Sequence, residues 1–195
     1  MLQVWGRISS INVRKVMWTV QHLGLAAERI DAGAQFGVVK APHYLAMNPN
    51  ALVPTFVDGD TVLWESNVIV RYLSAKHAAG DLNPLDLAQR FEAEKWMDWQ
   101  QTTLNPAGRN AFVQWCRTPE EQRQPELIAQ STQATEPLMA LLDAHLARQP
   151  FMAGEHLTMA DIPIACEIHR WWGLPQPRPE RPHLARWYAG MLARP

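Results

Sequence analysis

Asn48-Pro49-Asn50-Ala51-Leu52-Val53-Pro54-Thr55, followed further on by Glu65-Ser66-Asn67, is the stretch whose reading decides the fold. A proline at the head of an apolar run cannot donate a ladder hydrogen bond, so Val53-Pro54 reads as the entrance of a strand rather than its interior. Prolines held in tight turns are the usual sites of cis peptide bonds. A cis bond here would turn the Val53 N–H and C=O outward as a recognition edge. Thr55-Phe56-Val57, the turn Asp58-Gly59-Asp60 and Thr61-Val62-Leu63-Trp64 then spell a hairpin, because Asp-Gly is a strong short-range turn signal. Beyond it Val68, Ile69, Tyr72 and Leu73 form a helical stripe, with Ser66 placed to cap the helix. Such a helix start offers free N–H groups and a positive dipole end to an anion.

Working outward towards the amino terminus, Leu2 to Gly6 reads as a short first strand. Val13, Val16, Met17, Val20 and Leu23 recur at helical spacing up to Gly24, and Glu28 to Asp31 offers a weak second strand. Residues 32 to 44 read as an irregular loop. The order β-α-β, loop, β-β-α is that of a thioredoxin-like unit, with the first two strands parallel and the hairpin antiparallel on the same sheet. Towards the carboxyl terminus the composition shifts at Gly80 to Asp86, a short Gly/Asn/Pro linker, and strand signals almost vanish. The expected organisation is a thioredoxin-like domain over residues 1–78, a linker over 79–85 and an all-helical domain over 86–195. In the helical part, one pattern runs from Leu87 to Trp99 and resumes after Pro106, where the proline should kink or divide it. Thr118-Pro119-Glu120-Glu121 reads as a capping box. A stripe of Leu138, Leu141, Leu142, His145 and Leu146 precedes Pro150. A second box, Thr158-Met159-Ala160-Asp161, opens another helix through Ile162, Ile164, Ala165 and Ile168. Leu174 to Pro182 reads as a connector before a last short helix.

Composition removes several functions. With 195 residues the chain can bury one sizeable core or two smaller ones. A formal charge of −1 and no basic run longer than Arg14-Lys15 leave no electrostatic footprint for nucleic acid or an anionic membrane. The opening MLQVWGRISS lacks a signal-type apolar stretch, and no segment nears the roughly eighteen apolar residues of a membrane span, so a cytoplasmic protein is expected. Cys116 and Cys166 stand alone, without Cys-x-x-Cys spacing, and the seven histidines show no ligand spacing, so neither a disulfide scaffold nor a metal site is expected.

The segment NPNALVPTFVDGDTVLWESNVIVRYL resembles the glutathione-binding signature of the cytosolic glutathione transferases, and the likeness extends over nearly the whole chain. The resemblance implies that Val53, before Pro54, pairs through its backbone with the cysteinyl part of glutathione. It further implies that Glu65 and Ser66 hold the γ-glutamyl end, and that Lys40 is placed for the glycyl carboxylate or is simply a solvated lysine. In thioredoxin-like folds the reactive group sits where the first strand turns into the first helix. Here that turn reads Ser9-Ser10-Ile11-Asn12, with no cysteine, so the sulfur would belong to the ligand. A hydroxyl bonded to it would favour the thiolate. The pattern Ser-x-Asn-x-x-(Lys/Arg)-Val is similar to bacterial serine-type, theta-like and phi-like members, which makes Ser10 the activating residue and Ser9 the alternate. Asn12 either donates a second hydrogen bond to the sulfur or caps the helix.

The same resemblance implies glutathione as co-substrate, no permanently bound cofactor, a small hydrophobic electrophile as second substrate and a detoxifying conjugation. Thr102, in a stretch similar to the fourth helix of theta-like members, implies a cross-dimer contact and hence a homodimer. The electrophile pocket is expected between the first-turn loop and the helical domain, near Ile8, Trp99, Phe112 and Trp115. Ala51 stands where glycine is common, and Leu52 replaces a polar residue of the family. A glutathione-dependent disulfide or peroxide reductase, and a non-catalytic glutathione-fold binding module, stay open as alternatives.

Overall fold

The computed structural model describes residues 1–194, which divide into two compact units, Met1–Leu85 and Asp86–Arg194. In the first, β1 (Leu2–Trp5), α1 (Ile11–His22), β2 (Ala27–Ile30), β3 (Thr55–Asp58), β4 (Thr61–Trp64) and α3 (Ser66–His77) follow the expected order. The sheet order is β2-β1-β3-β4. β1 runs parallel to β2 and antiparallel to β3, and β3 pairs antiparallel with β4. Val4 and Phe56 are register partners and so share one face of the sheet. Against that face pack Val13, Val16 and Val20 of α1 with Ile69 and Leu73 of α3, all buried. The three-and-four spacing that marked the two helices in the sequence is thus the spacing of their core-facing stripes. This is the thioredoxin-like arrangement, and the second unit is helical, as the element order and composition shift predict.

Two readings in this unit need correction. The span taken as an irregular loop contains a 3-10 turn, Ala34–Phe36, and α2 (Pro42–Met47), which starts with proline at its first position, where a missing N–H costs nothing. Ser66 is not the cap of α3. Glu65 holds that position with φ +71°, in the left-handed region, and Ser66 is the first helical residue.

The second unit consists of α4 (Leu87–Trp99), α5 (Asn105–Arg117), α6 (Pro125–Leu146), α7 (Asp161–Trp172) and α8 (Pro182–Leu192). A π-helical segment, Gln100–Leu104, joins α4 to α5. Pro106 lies at the start of α5, so the expected division falls just before it. The box at Thr118 does not open a helix. Thr118 Oγ1 donates to the Val113 carbonyl at 3.1 Å, Glu120–Gln122 form only a 3-10 turn, and α6 begins at Pro125. Thr118 closes the end of the preceding helix instead, and the cap position of α6 falls to Gln124. Helix α6 also carries Pro137 in its interior, which the stripe beginning at Leu138 did not reveal.

Helix α7 is the centre of this unit, with Ile162, Pro163, Ile164, Ala165, Glu167, Ile168 and Trp171 all buried. A helix apolar nearly all round is a core helix. Gly108 on α5 lets Trp171 approach closely: a Cβ there would sit 3.3 Å from the indole ring. Glu167 is held by Arg170 and accepts from Gln100 Nε2 at 2.7 Å. Among the described residues no helix is long and apolar enough to cross a membrane.

Candidate active site

The first turn is built by three main-chain anchors. Gly6 and Arg7 donate their N–H groups to Ile30 and Ala32 at 2.8 and 3.1 Å, which ties the end of β1 to the end of β2. The Ser10 N–H then closes a turn onto the Arg7 carbonyl at 3.1 Å. Arg14, one turn into α1, donates Nε–H to the Ile8 carbonyl at 3.0 Å and stiffens the same turn.

Ser10 sits at the cap position of α1 with φ −82° and ψ 126°, the extended geometry of a cap residue, and its carbonyl accepts the Arg14 N–H at 3.0 Å. Its hydroxyl makes no cap hydrogen bond. Serine is favoured at this position because its oxygen ordinarily accepts from the second or third helical N–H. Here that oxygen is unspent. Ser10 is buried and Ser9 is exposed. Asn12, two residues into the helix, is past the cap position, and its Oδ1 is buried with no partner among the described residues. A buried polar atom without a partner costs free energy comparable to a lost hydrogen bond; the Asn12 oxygen can only accept, whereas the Ser10 hydroxyl can donate or accept.

The stretch 48–55 is held by a closed polar network. Tyr44, fully buried, donates its hydroxyl to the Leu52 carbonyl at 2.6 Å and accepts from Thr55 Oγ1 at 2.9 Å. Asn48 Nδ2 donates to the same Leu52 carbonyl at 3.0 Å and to Thr55 Oγ1 at 3.1 Å, while Asn48 Oδ1 accepts from the Asn50 N–H at 3.1 Å. Burial pushes the Tyr44 phenol up, so it stays a neutral donor. Two of these bonds, from Tyr44 and Asn48, meet on the carbonyl of Leu52, the residue before Val53. The Val53–Pro54 peptide is cis, and neither the N–H nor the C=O of Val53 pairs with another backbone group among the described residues. Ala51 adopts φ +54°, which explains physically why glycine is common at that position.

Glu65 and Ser66 stand at the end of β4 and the first position of α3. A left-handed φ on glutamate costs about 1–3 kcal/mol and is a strained arrangement of the kind that gathers at ligand sites. Glu65 is exposed and Ser66 buried. Next to them, the fully buried Lys15 donates Nζ–H to Asn67 Oδ1 at 3.2 Å and so ties α1 to α3. Ser10, Asn12, Val53, Glu65 and Ser66 therefore all lie at element ends of the one unit. Lys40 lies between the 3-10 turn and α2, exposed and without a hydrogen-bond partner among the described residues.

The remaining expected residues lie in the helical unit. Thr102, in the π-helical segment, is exposed and donates its hydroxyl to the Asp98 carbonyl at 2.9 Å. Trp99 stacks edge-on against Trp96, with ring centroids 5.3 Å apart. Phe112 lies between the guanidinium groups of Arg117 and Arg170, 4.9 and 5.1 Å from its centroid, and Arg123 covers Trp115 at 5.2 Å. Both cysteines belong to this unit. No group of three or more potential metal ligands gathers among the described residues. The sequence reading had Lys15 at the (Lys/Arg) position of its pattern but gave it no role, and it missed Arg14 and the Tyr44–Asn48 network. Asn48 and its partners Asn50, Leu52 and Thr55 all lie in the stretch 48–55, but the fold that brings them together, and Tyr44 of α2 with them, is tertiary.

Comparison with known proteins bears directly on this geometry. The family model for the glutathione S-transferase N-terminal domain matches residues 1–75, and that for the C-terminal domain matches residues 125–190. The chain is 43% identical over 197 aligned positions to glutathione S-transferase GstB of Escherichia coli (strain K12), covering 100% of this chain and 95% of that protein. It is 30% identical over 202 positions to glutathione S-transferase 3 of Zea mays, covering 100% and 90%. Among solved structures, the theta class glutathione S-transferase of Xanthomonas axonopodis pv. citri with glutathione bound superposes with a TM-score of 0.96. Its identity is 43%, and the match covers 100% of this chain and 93% of that one.

Proposed function

The chain belongs to the glutathione S-transferase family, and from that membership we infer that it ionises the thiol of bound glutathione at Ser10 and adds it to a small hydrophobic electrophile. The observation that carries the reading is the unspent Ser10 hydroxyl, a donor at the opening of α1. A free thiol has a pKa near about 8.5, so lowering it by about two units, worth about 2.7 kcal/mol, makes most of it thiolate at neutral pH. One hydroxyl hydrogen bond together with the positive end of a helix dipole is of that size.

Val53 offers its free N–H and C=O to the cysteinyl part. Glu65 takes the γ-glutamyl amine and Ser66, at the start of α3, the carboxylate. Lys40 takes the glycyl carboxylate. The glutathione site then belongs to residues 1–78, with 79–85 as linker and 86–195 as the helical domain. Catalysis comes from orientation and thiolate stabilisation, with no covalent enzyme intermediate. The protein works as a cytoplasmic homodimer in which Thr102 faces the second subunit.

Turnover of chlorodinitrobenzene with glutathione, followed across pH, tests this. Ser10→Ala is expected to lower kcat/KM about a hundredfold and to move its pH midpoint up towards that of free thiol. Loss of activity in Ser9→Ala instead of Ser10→Ala defeats the assignment. Glutathione binding without turnover of any electrophile, disulfide or peroxide defeats conjugation itself.

A further inference from the structure

The loop between β1 and α1 carries a cation that the chain does not neutralise. Arg7 is half-buried and its main chain is fully engaged, but its guanidinium has no hydrogen-bond or ion-pair partner among the described residues. The acid at the exit of the neighbouring strand, Asp31, is already held by Arg29, which also donates to the Gly6 carbonyl at 2.9 Å. Gly33 locates the guanidinium: a Cβ built there would lie 2.9 Å from Arg7 Nη1 and 3.3 Å from a Val53 methyl. The Arg7 side chain therefore reaches across the end of the sheet to the residue that opens the Ala34–Phe36 turn. Phe36 is tied back to that same residue, its N–H donating to the Gly33 carbonyl at 3.2 Å. Phe36 and Ile8 are two of the large apolar side chains left exposed. The guanidinium beside Gly33 is a planar fork of donors, and the turn that carries Arg7 closes onto Ser10.

We propose that Arg7 binds an anionic group of the electrophile, so that the preferred second substrate is an apolar molecule bearing a carboxylate. This rests on the transferase reading above, which already assigns both carboxylates of glutathione, one to Ser66 and one to Lys40. Of those two residues only Lys40 is a cation, and Arg7 is a second cation that neither assignment uses. A guanidinium always carries its charge and meets a carboxylate with two parallel hydrogen bonds, and Ile8 and Phe36 suit the apolar body of such a molecule. Arg7 takes no part in the bond changes. The thiolate forms the carbon–sulfur bond as the carbon–halogen bond breaks, and halide departs with the electron pair.

The test compares kcat/KM for a chlorodinitrobenzoate and for its methyl ester, at saturating glutathione, each corrected for its uncatalysed rate. It uses the full-length protein, Arg7→Gln and Arg7→Lys. The unaltered protein is expected to favour the acid. Arg7→Gln is expected to lower the acid-to-ester ratio about tenfold or more, and Arg7→Lys by less. An unchanged ratio in Arg7→Gln overturns the proposal, as does a rise in the KM for glutathione that accounts for the loss. Both of those outcomes leave conjugation standing. Absence of turnover of either electrophile by the unaltered protein overturns the transferase reading and this one with it.

Discussion

The openings of α1 and α7 start from the same chemistry, a hydroxyl residue set before a helix, and end in opposite states. At α7 every side-chain oxygen of the box is used. The fully buried Asp161 accepts from the N–H groups of Met152 and Thr158 at 2.9 and 3.0 Å and from Trp187 Nε1 at 2.9 Å, while Thr158 Oγ1 accepts from the Ala160 N–H at 3.3 Å. At α1 the Ser10 hydroxyl makes no cap bond and Asn12 Oδ1 has no partner among the described residues. A box closed on itself holds the fold. A helix start that leaves its donors and acceptors unspent has them to offer a ligand, and the residue types alone do not separate the two.

The largest effect expected from breaking this contrast is at Asp161. Asp161→Ala leaves two backbone N–H groups and the Trp187 indole N–H buried and unpaired, and should cost about 3–5 kcal/mol in the urea unfolding free energy. A second test uses pH. Burial outweighs the donors around this carboxyl and pushes it up to about 6, against 3.8 unfolded. A carboxyl whose folded pKa is raised stabilises the fold most when protonated, below its unfolded pKa, and that contribution is lost as pH rises through the folded value. The unfolding free energy contributed by this group should therefore fall between pH of about 4 and about 6. Asp161→Asn, though less stable overall, should flatten that slope; an unchanged slope would assign the titration elsewhere. The smallest effect sharpens the comparison directly. Thr158→Ala loses a cap bond that is made and should cost about 1 kcal/mol, whereas Ser10→Ala loses none and should cost under about 0.5 kcal/mol. Equal losses in thermal unfolding would mean that the Ser10 hydroxyl is a cap after all.

Where local chemistry and tertiary contacts agree, the chain is legible. The Asp58-Gly59 hairpin, the apolar stripes of α1 and α3 and the box at Thr158 could be read because turn preference, helical period and capping act over a few residues. The box at Thr118 misled because its hydroxyl bonds backwards to Val113, and both Thr118 and Thr158 look alike from within a four-residue window. Ser66 misled by one position because Glu65 accepts a left-handed φ that no propensity favours. For the candidate site, the expected residues of the first unit were visible by type. The role of Lys15 was not, since the (Lys/Arg)-Val pattern does not announce that this lysine is fully buried with Asn67 as its partner.

By itself the sequence determined the order of the elements and the two-part composition, because these follow from period, propensity and residue identity. Only the tertiary structure decided which polar groups are spent and which are free: that Tyr44, Asn48 and Thr55 hold the approach to Val53, that Asp31 is claimed by Arg29 while Arg7 is not, and that Ser10 caps nothing. The physical reason is that burial and pairing are set by neighbours in space, contributed by elements far apart along the chain.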